Sequence, residues 1–143
     1  MSLVHISWID ILETGVAEID SEHRELIDDF NTMVDLLPSL TSRHQLVSRF
    51  EQMLAKLKQH FETEEDILRQ RGFPRLEAHI EEHKRFRAQL ERGLEMTRHS
   101  GSGFGPATFL EYLHVMLIEV LVRHDLDYKS HILHTTGSSD IVR

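Results

Sequence analysis

The chain contains no cysteine among its 143 residues. Disulfide bridges, thiolate zinc sites and iron–sulfur clusters ligated by this chain are therefore excluded. No apolar run approaches the roughly 20 residues that a membrane-spanning helix needs. The start, "MSLVHISWID", has neither the basic region nor the cleavage-like site of a signal peptide. We therefore expect a cytoplasmic protein that has no membrane partner.

Positive charge is also scarce, because 16 Lys and Arg residues stand against 24 Asp and Glu residues, for a net charge of −8. A chain of that sign repels nucleic acid and anionic lipid, so we expect neither as a partner. An acidic chain is compatible with cations. The sequence also has 11 histidines, a high number for its length, which directs attention to metal ions.

Proline occurs only three times, as Pro38, Pro74 and Pro106. Because proline disrupts the interior of a helix but is tolerated in loops and first turns, these residues mark boundaries. Four segments with an apolar period near 3.6 lie between and around them. We expect helices at about 20–37, 42–70, 74–99 and 106–133, after an extended arm over residues 1–18. The sequence thus predicts one all-α domain over residues 1–143, an up-down-up-down four-helix bundle.

Polar residues occupy positions in the apolar stripes of three consecutive predicted helices. These residues are His23, His60, Glu64, His79 and His83. One histidine in such a stripe is usually a hydrogen-bonded core residue. Burying four imidazoles and a carboxylate together is costly unless they share a partner. A cation bound by all of them would compensate for that cost, so the pattern predicts a metal site.

The donor types restrict the metal and the kind of site. Nitrogen and carboxylate ligands without sulfur suit iron, manganese or zinc. The set exceeds one tetrahedral zinc shell, and a dinuclear site with a bridging carboxylate accommodates it better. A ferritin-like site needs two Glu-x-x-His motifs, whereas this chain has one candidate, Glu111 to His114. The zincin motif His-Glu-x-x-His is absent.

The order of these motifs resembles the hemerythrin family, most of all its single-domain form, the bacteriohemerythrins. The stretches that carry the resemblance are "TGVAEIDSEHREL", "LKQHFETEEDIL" and "GFPRLEAHIEEHKRF", and the likeness runs from Trp8 to Ile132. It implies two non-haem iron ions, bridged by oxo or hydroxo, that bind O2 or another small diatomic ligand reversibly. It also implies seven protein ligands, which are five histidines and two bridging carboxylates.

The resemblance assigns most of these ligands by position in this sequence. It implies that His23 and His60 hold one iron and that His79 and His83 hold the other. Glu64 would bridge the two ions. The iron with fewer ligands would keep an open position for O2.

The fourth helix departs from the family pattern, in which the last His and Asp are five residues apart. An alignment on Asp125 and Tyr128 places Val120 where the fifth histidine belongs, whereas an alignment on His124 leaves no carboxylate at the Asp position. We take His124 and Asp125 as the remaining ligands, although adjacent helical residues point about 100° apart. Asp127 or Tyr128 could serve as a substitute oxygen donor.

Three functions follow from this interpretation. The first is oxygen binding without catalysis, for carriage, storage or sensing, with a protein partner for signalling or oxygen delivery. The second is a di-iron enzyme or detoxifier of peroxide or nitric oxide, and the third is a metal-storing bundle. For the first function we expect apolar side chains to exclude water from the site, namely Phe30, Leu57, Phe61, Phe86 and Leu117.

Overall fold

Helices form all the regular structure in the described part of the chain. The computed structural model describes residues 5–39, 43–99, 105–124 and 127–132, with the backbone alone for Arg43, Arg123 and His124. The long helices are α1 (Ala17–Leu36), α2 (Arg43–Gln70), α3 (Leu76–Arg98) and α4 (Pro106–Ile118). Short 3₁₀ turns occur at Asp10–Leu12 and Leu37–Ser39. The prediction of an all-α four-helix bundle is confirmed.

The start of α1 is fixed by a side chain from within its first turns. The Asp20 carboxylate accepts hydrogen bonds from the backbone N–H and the hydroxyl of Thr14, both at 2.8 Å. The N–H of Gly15, whose φ is 92°, also donates to this carboxylate, at 3.3 Å. A carboxylate near the N-terminus of a helix satisfies donors there and complements the helix dipole. The helix therefore begins at Ala17, and His23 lies in its second turn.

The turn between α2 and α3 is closed by Gly72. This residue has φ of 68°, a left-handed conformation that glycine adopts without a Cβ penalty. The N–H of Phe73 donates to the carbonyl of Leu68 at 3.0 Å, and that of Gly72 to the carbonyl of Arg69 at 3.1 Å, as in a Schellman motif. The short connection over residues 71–75 makes α2 and α3 antiparallel neighbours.

Two apolar clusters fill the interior of the bundle. The larger one runs through its middle, and its most buried members include Phe30, Phe50, Met33, Leu90 and Leu110. The smaller cluster closes the end of the bundle near residues 71–75, and it consists of Val16, Ile19, Leu68, Phe73, Tyr128 and Ile132. The four histidines and Glu64 that were predicted to bind metal lie between these two apolar clusters.

The last helix changes its form after Ile118. A six-residue π-helical segment, Glu119–His124, follows α4, and residues 127–132 are helical again. A π-turn has hydrogen bonds from residue i to i+5, so it changes which residues face the core. Val120 and Leu121, although adjacent, are both only 2% exposed. The expectation of one regular helix over 106–133 did not anticipate this segment.

The residues before α1 lie along that helix. The backbone N–H and carbonyl of Ile6 bond to the side chain of Asn31, at 2.8 and 2.9 Å. The Trp8 ring packs against the larger apolar cluster, and the Arg24 guanidinium lies over it at 4.1 Å from the ring centre. None of the described helices is both long and apolar enough to cross a membrane.

Candidate metal centre

Four imidazoles and one carboxylate meet between the two apolar clusters. They belong to His23 on α1, His60 and Glu64 on α2, and His79 and His83 on α3. Each of these residues is at most 2% exposed. The structure therefore brings together the five candidates that lie on the apolar stripes of the first three helices.

Glu64 is the centre of this group, and its two oxygens have different neighbours. Oε1 lies 2.6 Å from Nε2 of His79 and 3.0 Å from Nε2 of His83. Oε2 lies 3.2 Å from Nε2 of His60 and 3.5 Å from Nε2 of His23. One carboxylate oxygen thus faces each histidine pair, so a single side chain joins two sets of donor atoms.

The charge of Glu64 depends on these neighbours. Burial raises the pKa of its carboxyl, but hydrogen bonds from the four imidazoles outweigh burial and hold that pKa well below its usual range. The carboxylate is therefore ionised, and it can only accept hydrogen bonds or bind a cation. The imidazole Nε2 atoms that face it offer lone pairs to a metal once their protons are displaced.

The spacing of the donor atoms fits metal ions. A first-row metal holds imidazole nitrogen and carboxylate oxygen at about 2.1 Å, so two ligands at right angles lie about 3 Å apart. The two Nε2 atoms of His23 and His60 are 2.9 Å apart, and the Nε2-to-Glu64 distances are comparable. Among the described residues, two groups have all their donor atoms within 4.8 Å of one another, one of His23, His60 and Glu64, and one of Glu64, His79 and His83.

Two further carboxylates orient the rings from outside the cluster. Nδ1 of His60 donates to Oε1 of Glu22 at 2.8 Å, and Nδ1 of His83 donates to Oε2 of Glu65 at 2.7 Å. Once the Nε2 proton is displaced, the proton held on Nδ1 keeps the Nε2 lone pair directed into the site. Neither carboxylate was predicted from the sequence. The available signal was that each is adjacent to a cluster residue, Glu22 to His23 and Glu65 to Glu64.

Apolar side chains of the larger apolar cluster pack against the group of four histidines and Glu64. The Phe61 ring stacks on the His83 imidazole, with ring centres 3.9 Å apart and planes at 12°. The five apolar residues expected to exclude water are all buried in the larger cluster. A small apolar cavity of about 20 Å³ lies there, and its lining includes Leu26, Leu57 and Leu117. Leu26 and Leu57 are each one helical turn from a cluster histidine.

The two remaining ligand candidates, His124 and Asp125, belong to the end of the predicted fourth helix. Asp125 lies outside the described residues, and only the backbone of His124, at the end of the π-helical segment, is described. Val120, which takes the family's histidine position in one alignment, is 2% exposed and packs in the larger apolar cluster. The ligand roles of His124 and Asp125 therefore remain predictions.

The two substitute oxygen donors have different positions. The Asp127 carboxylate, 43% exposed, is paired with Arg75 at 2.6 Å, so it points to the surface. The Tyr128 hydroxyl instead donates to Oε2 of Glu64 at 2.9 Å, and the residue is fully buried. Of these two residues, only Tyr128 reaches the cluster.

The sequence is similar to a known family of proteins and to two of its members. The family model described as the hemerythrin HHE cation binding domain matches residues 14–133. A bacteriohemerythrin from Clostridium acetobutylicum is 32% identical over 91 residues, which are 59% of this chain and 67% of that protein. A bacteriohemerythrin from Pseudomonas paraeruginosa is 26% identical over 85 residues, which cover 59% of this chain and 54% of that protein.

Proposed function

Because the chain belongs to the hemerythrin family, whose domain implies iron binding, we propose that the cluster holds two iron ions and binds O2 or another diatomic gas reversibly. The observation that supports this proposal most is the division of the two Glu64 oxygens between two histidine pairs. A carboxylate shared in this way is the arrangement that a dinuclear centre needs and a single ion does not.

The proposed ligand sets follow from the same distances. His23 and His60 would hold one ion with Oε2 of Glu64, and His79 and His83 would hold the other with Oε1. From the sequence, we propose His124 and Asp125 as the sixth and seventh ligands. If bound there, two iron ions would supply the electrons that O2 accepts on binding and returns on release.

The protein's own contribution is to hold the donors in place and to keep water away. The cavity lined by Leu26, Leu57 and Leu117 is apolar and only about 20 Å³ in volume. A space of this size admits about one small molecule, and an apolar lining favours O2 over water. Exclusion of water limits proton leakage and side reactions at the centre, so a bound gas leaves unchanged. These features favour binding over turnover.

Metal analysis and gas titration of the full chain test this proposal. We expect two irons per chain after anaerobic loading with ferrous iron. Air should then produce a visible charge-transfer band that disappears under argon, over repeated cycles. One iron per chain, or none, would refute the dinuclear centre. Irreversible bleaching with consumption of peroxide would favour an enzyme, and retained iron without any response to gas would favour storage.

A further inference from the structure

Tyr128 lies at the cluster but is not part of the ligand set proposed above. It is 0% exposed, and its hydroxyl donates to Oε2 of Glu64 at 2.9 Å. Its ring meets the His79 imidazole edge-on, with ring centres 5.2 Å apart, and it lies 6.3 Å from the Phe73 ring. A buried hydroxyl needs an acceptor, and here the acceptor is the carboxylate that both histidine pairs share.

Surface contacts on both sides of Tyr128 hold it in this position. Arg75 bonds to the Asp127 carboxylate at 2.6 and 3.2 Å and to the Asp127 carbonyl at 3.0 Å. His131 donates from Nε2 to the carbonyl of Arg71 at 3.0 Å. Both contacts attach residues 127–132 to the turn between α2 and α3. These contacts therefore fix the position of the Tyr128 phenol, which follows the π-helical segment in the chain.

We propose that Tyr128 is a positioning residue for the dinuclear centre, acting through Glu64. The inference rests on the proposed function, because it assumes that Glu64 bridges two ions. The terminal torsion of a glutamate is broad, so a fixed donor on one oxygen restricts the carboxylate to one orientation. The oxygen concerned is Oε2, which faces His23 and His60. Tyr128 therefore acts mainly on the ion held by that pair.

The hydrogen bond also has an electronic consequence. A donor on a ligating carboxylate withdraws electron density from it, and hydrogen bonds to ligands are one means by which a protein sets an iron potential. Without the donor, the Glu64 carboxylate would keep more negative charge, which would stabilise ferric iron more than ferrous iron. Tyr128 would therefore stabilise the reduced form, which under the proposed function would be the form that binds O2. Its loss should lower the midpoint potential and accelerate autoxidation.

The variant Tyr128→Phe tests this role, and Tyr112→Phe is the matched control. The chain has two tyrosines, and Tyr112 is partly buried against the larger apolar cluster. In Tyr128→Phe the Glu64 carboxylate loses its fixed orientation, so we expect the ferrous ion at His23 and His60 to bind about 10- to 100-fold more weakly in competition with a chelator, and the other ion to change less. The midpoint potential should fall and autoxidation should accelerate. Tyr112→Phe should match the wild type in all three measurements.

Three outcomes would overturn the inference. Loaded Tyr128→Phe with unchanged potential and unchanged metal release would show that the hydrogen bond has no effect. A tyrosinate-to-iron charge-transfer band in the wild type, lost in this variant, would make Tyr128 a ligand instead. Failure of the wild type to hold two irons would remove the proposed function as well. Asp127→Asn keeps the phenol but weakens its support, so a smaller shift in the same direction should appear there.

Discussion

The carboxylate of Glu22, on α1, lies 2.8 Å from Nδ1 of His60, on α2. The corresponding contact on the other side of the site joins Glu65 on α2 to His83 on α3, at 2.7 Å. Each contact crosses from one helix to the next and fixes the ring of one member of a histidine pair. A negative acceptor at Nδ1 also makes Nε2 a stronger ligand.

Neutralising either carboxylate should therefore weaken metal binding. We expect Glu22→Gln and Glu65→Gln each to lower iron affinity by about 10- to 100-fold, because the amide keeps an acceptor oxygen but loses the charge. Competition with a chelator of known affinity measures the effect. Glu62→Gln is the control, since Glu62 is exposed on α2, the helix that also carries Glu65. If all three variants bound iron equally well, the orienting role would be wrong.

Replacing His79 should remove one of the proposed metal ligands. Nε2 of His79 lies 2.6 Å from Oε1 of Glu64, the shortest contact within the cluster. We expect His79→Ala to lose at least one of the two irons, as measured by metal analysis of the purified protein. The control is His44→Ala, at an exposed position of α2. Full loading of His79→Ala would rule out the proposed ligand set.

The depressed pKa of Glu64 predicts a pH dependence of the metal-free protein. Its folded pKa lies below the ordinary value of 4.5, so its ionised form contributes stability above pH 4.5. That contribution should decline as the pH falls from 4.5 towards the folded pKa. Urea unfolding at a series of pH values measures it. Glu64→Gln should show a shallower decline in the free energy of unfolding than the wild type, and equal slopes would contradict this assignment.

The apolar lining of the cavity should be important for stability. Leu117 is 2% exposed, so Leu117→Ala should lower the free energy of unfolding by about 2–5 kcal/mol through lost burial and a larger cavity. Val115 lies on the same helix but is 60% exposed, and Val115→Ala should change the free energy by less than about 0.5 kcal/mol. Chemical denaturation of the metal-free proteins compares them. Similar losses in both variants would be inconsistent with this packing.

The convergence of the cluster could be predicted from the sequence because helix geometry is local. His60 and Glu64 are four residues apart, and so are His79 and His83, so each pair shares a helical face with the apolar stripe. Burial of that stripe is enough to direct all of them inward. The predicted end of the second helix at residue 70 also agrees with the structure, in which α2 ends at Gln70 and Gly72 follows in a left-handed conformation.

The contact of Glu22 with His60 and the π-helical segment could not be predicted from hydrophobic periodicity. Glu22 lies about 100° around α1 from its neighbour His23, and only the relative rotation of α1 and α2 shows that it reaches His60. The π-helical segment breaks the assumed period of 3.6. It covers Val120 and His124, the two positions at which the two alignments of the fourth helix place the fifth histidine.

The single tryptophan gives the molecule an intrinsic optical reporter. Trp8 lies in the segment that precedes α1, and its ring is covered by Arg24, the residue next to His23. Detachment of this segment would expose the indole and shift its emission to longer wavelength. A metal arriving at His23 would quench the same emission, so unfolding and metal uptake can be followed by fluorescence in unlabelled protein.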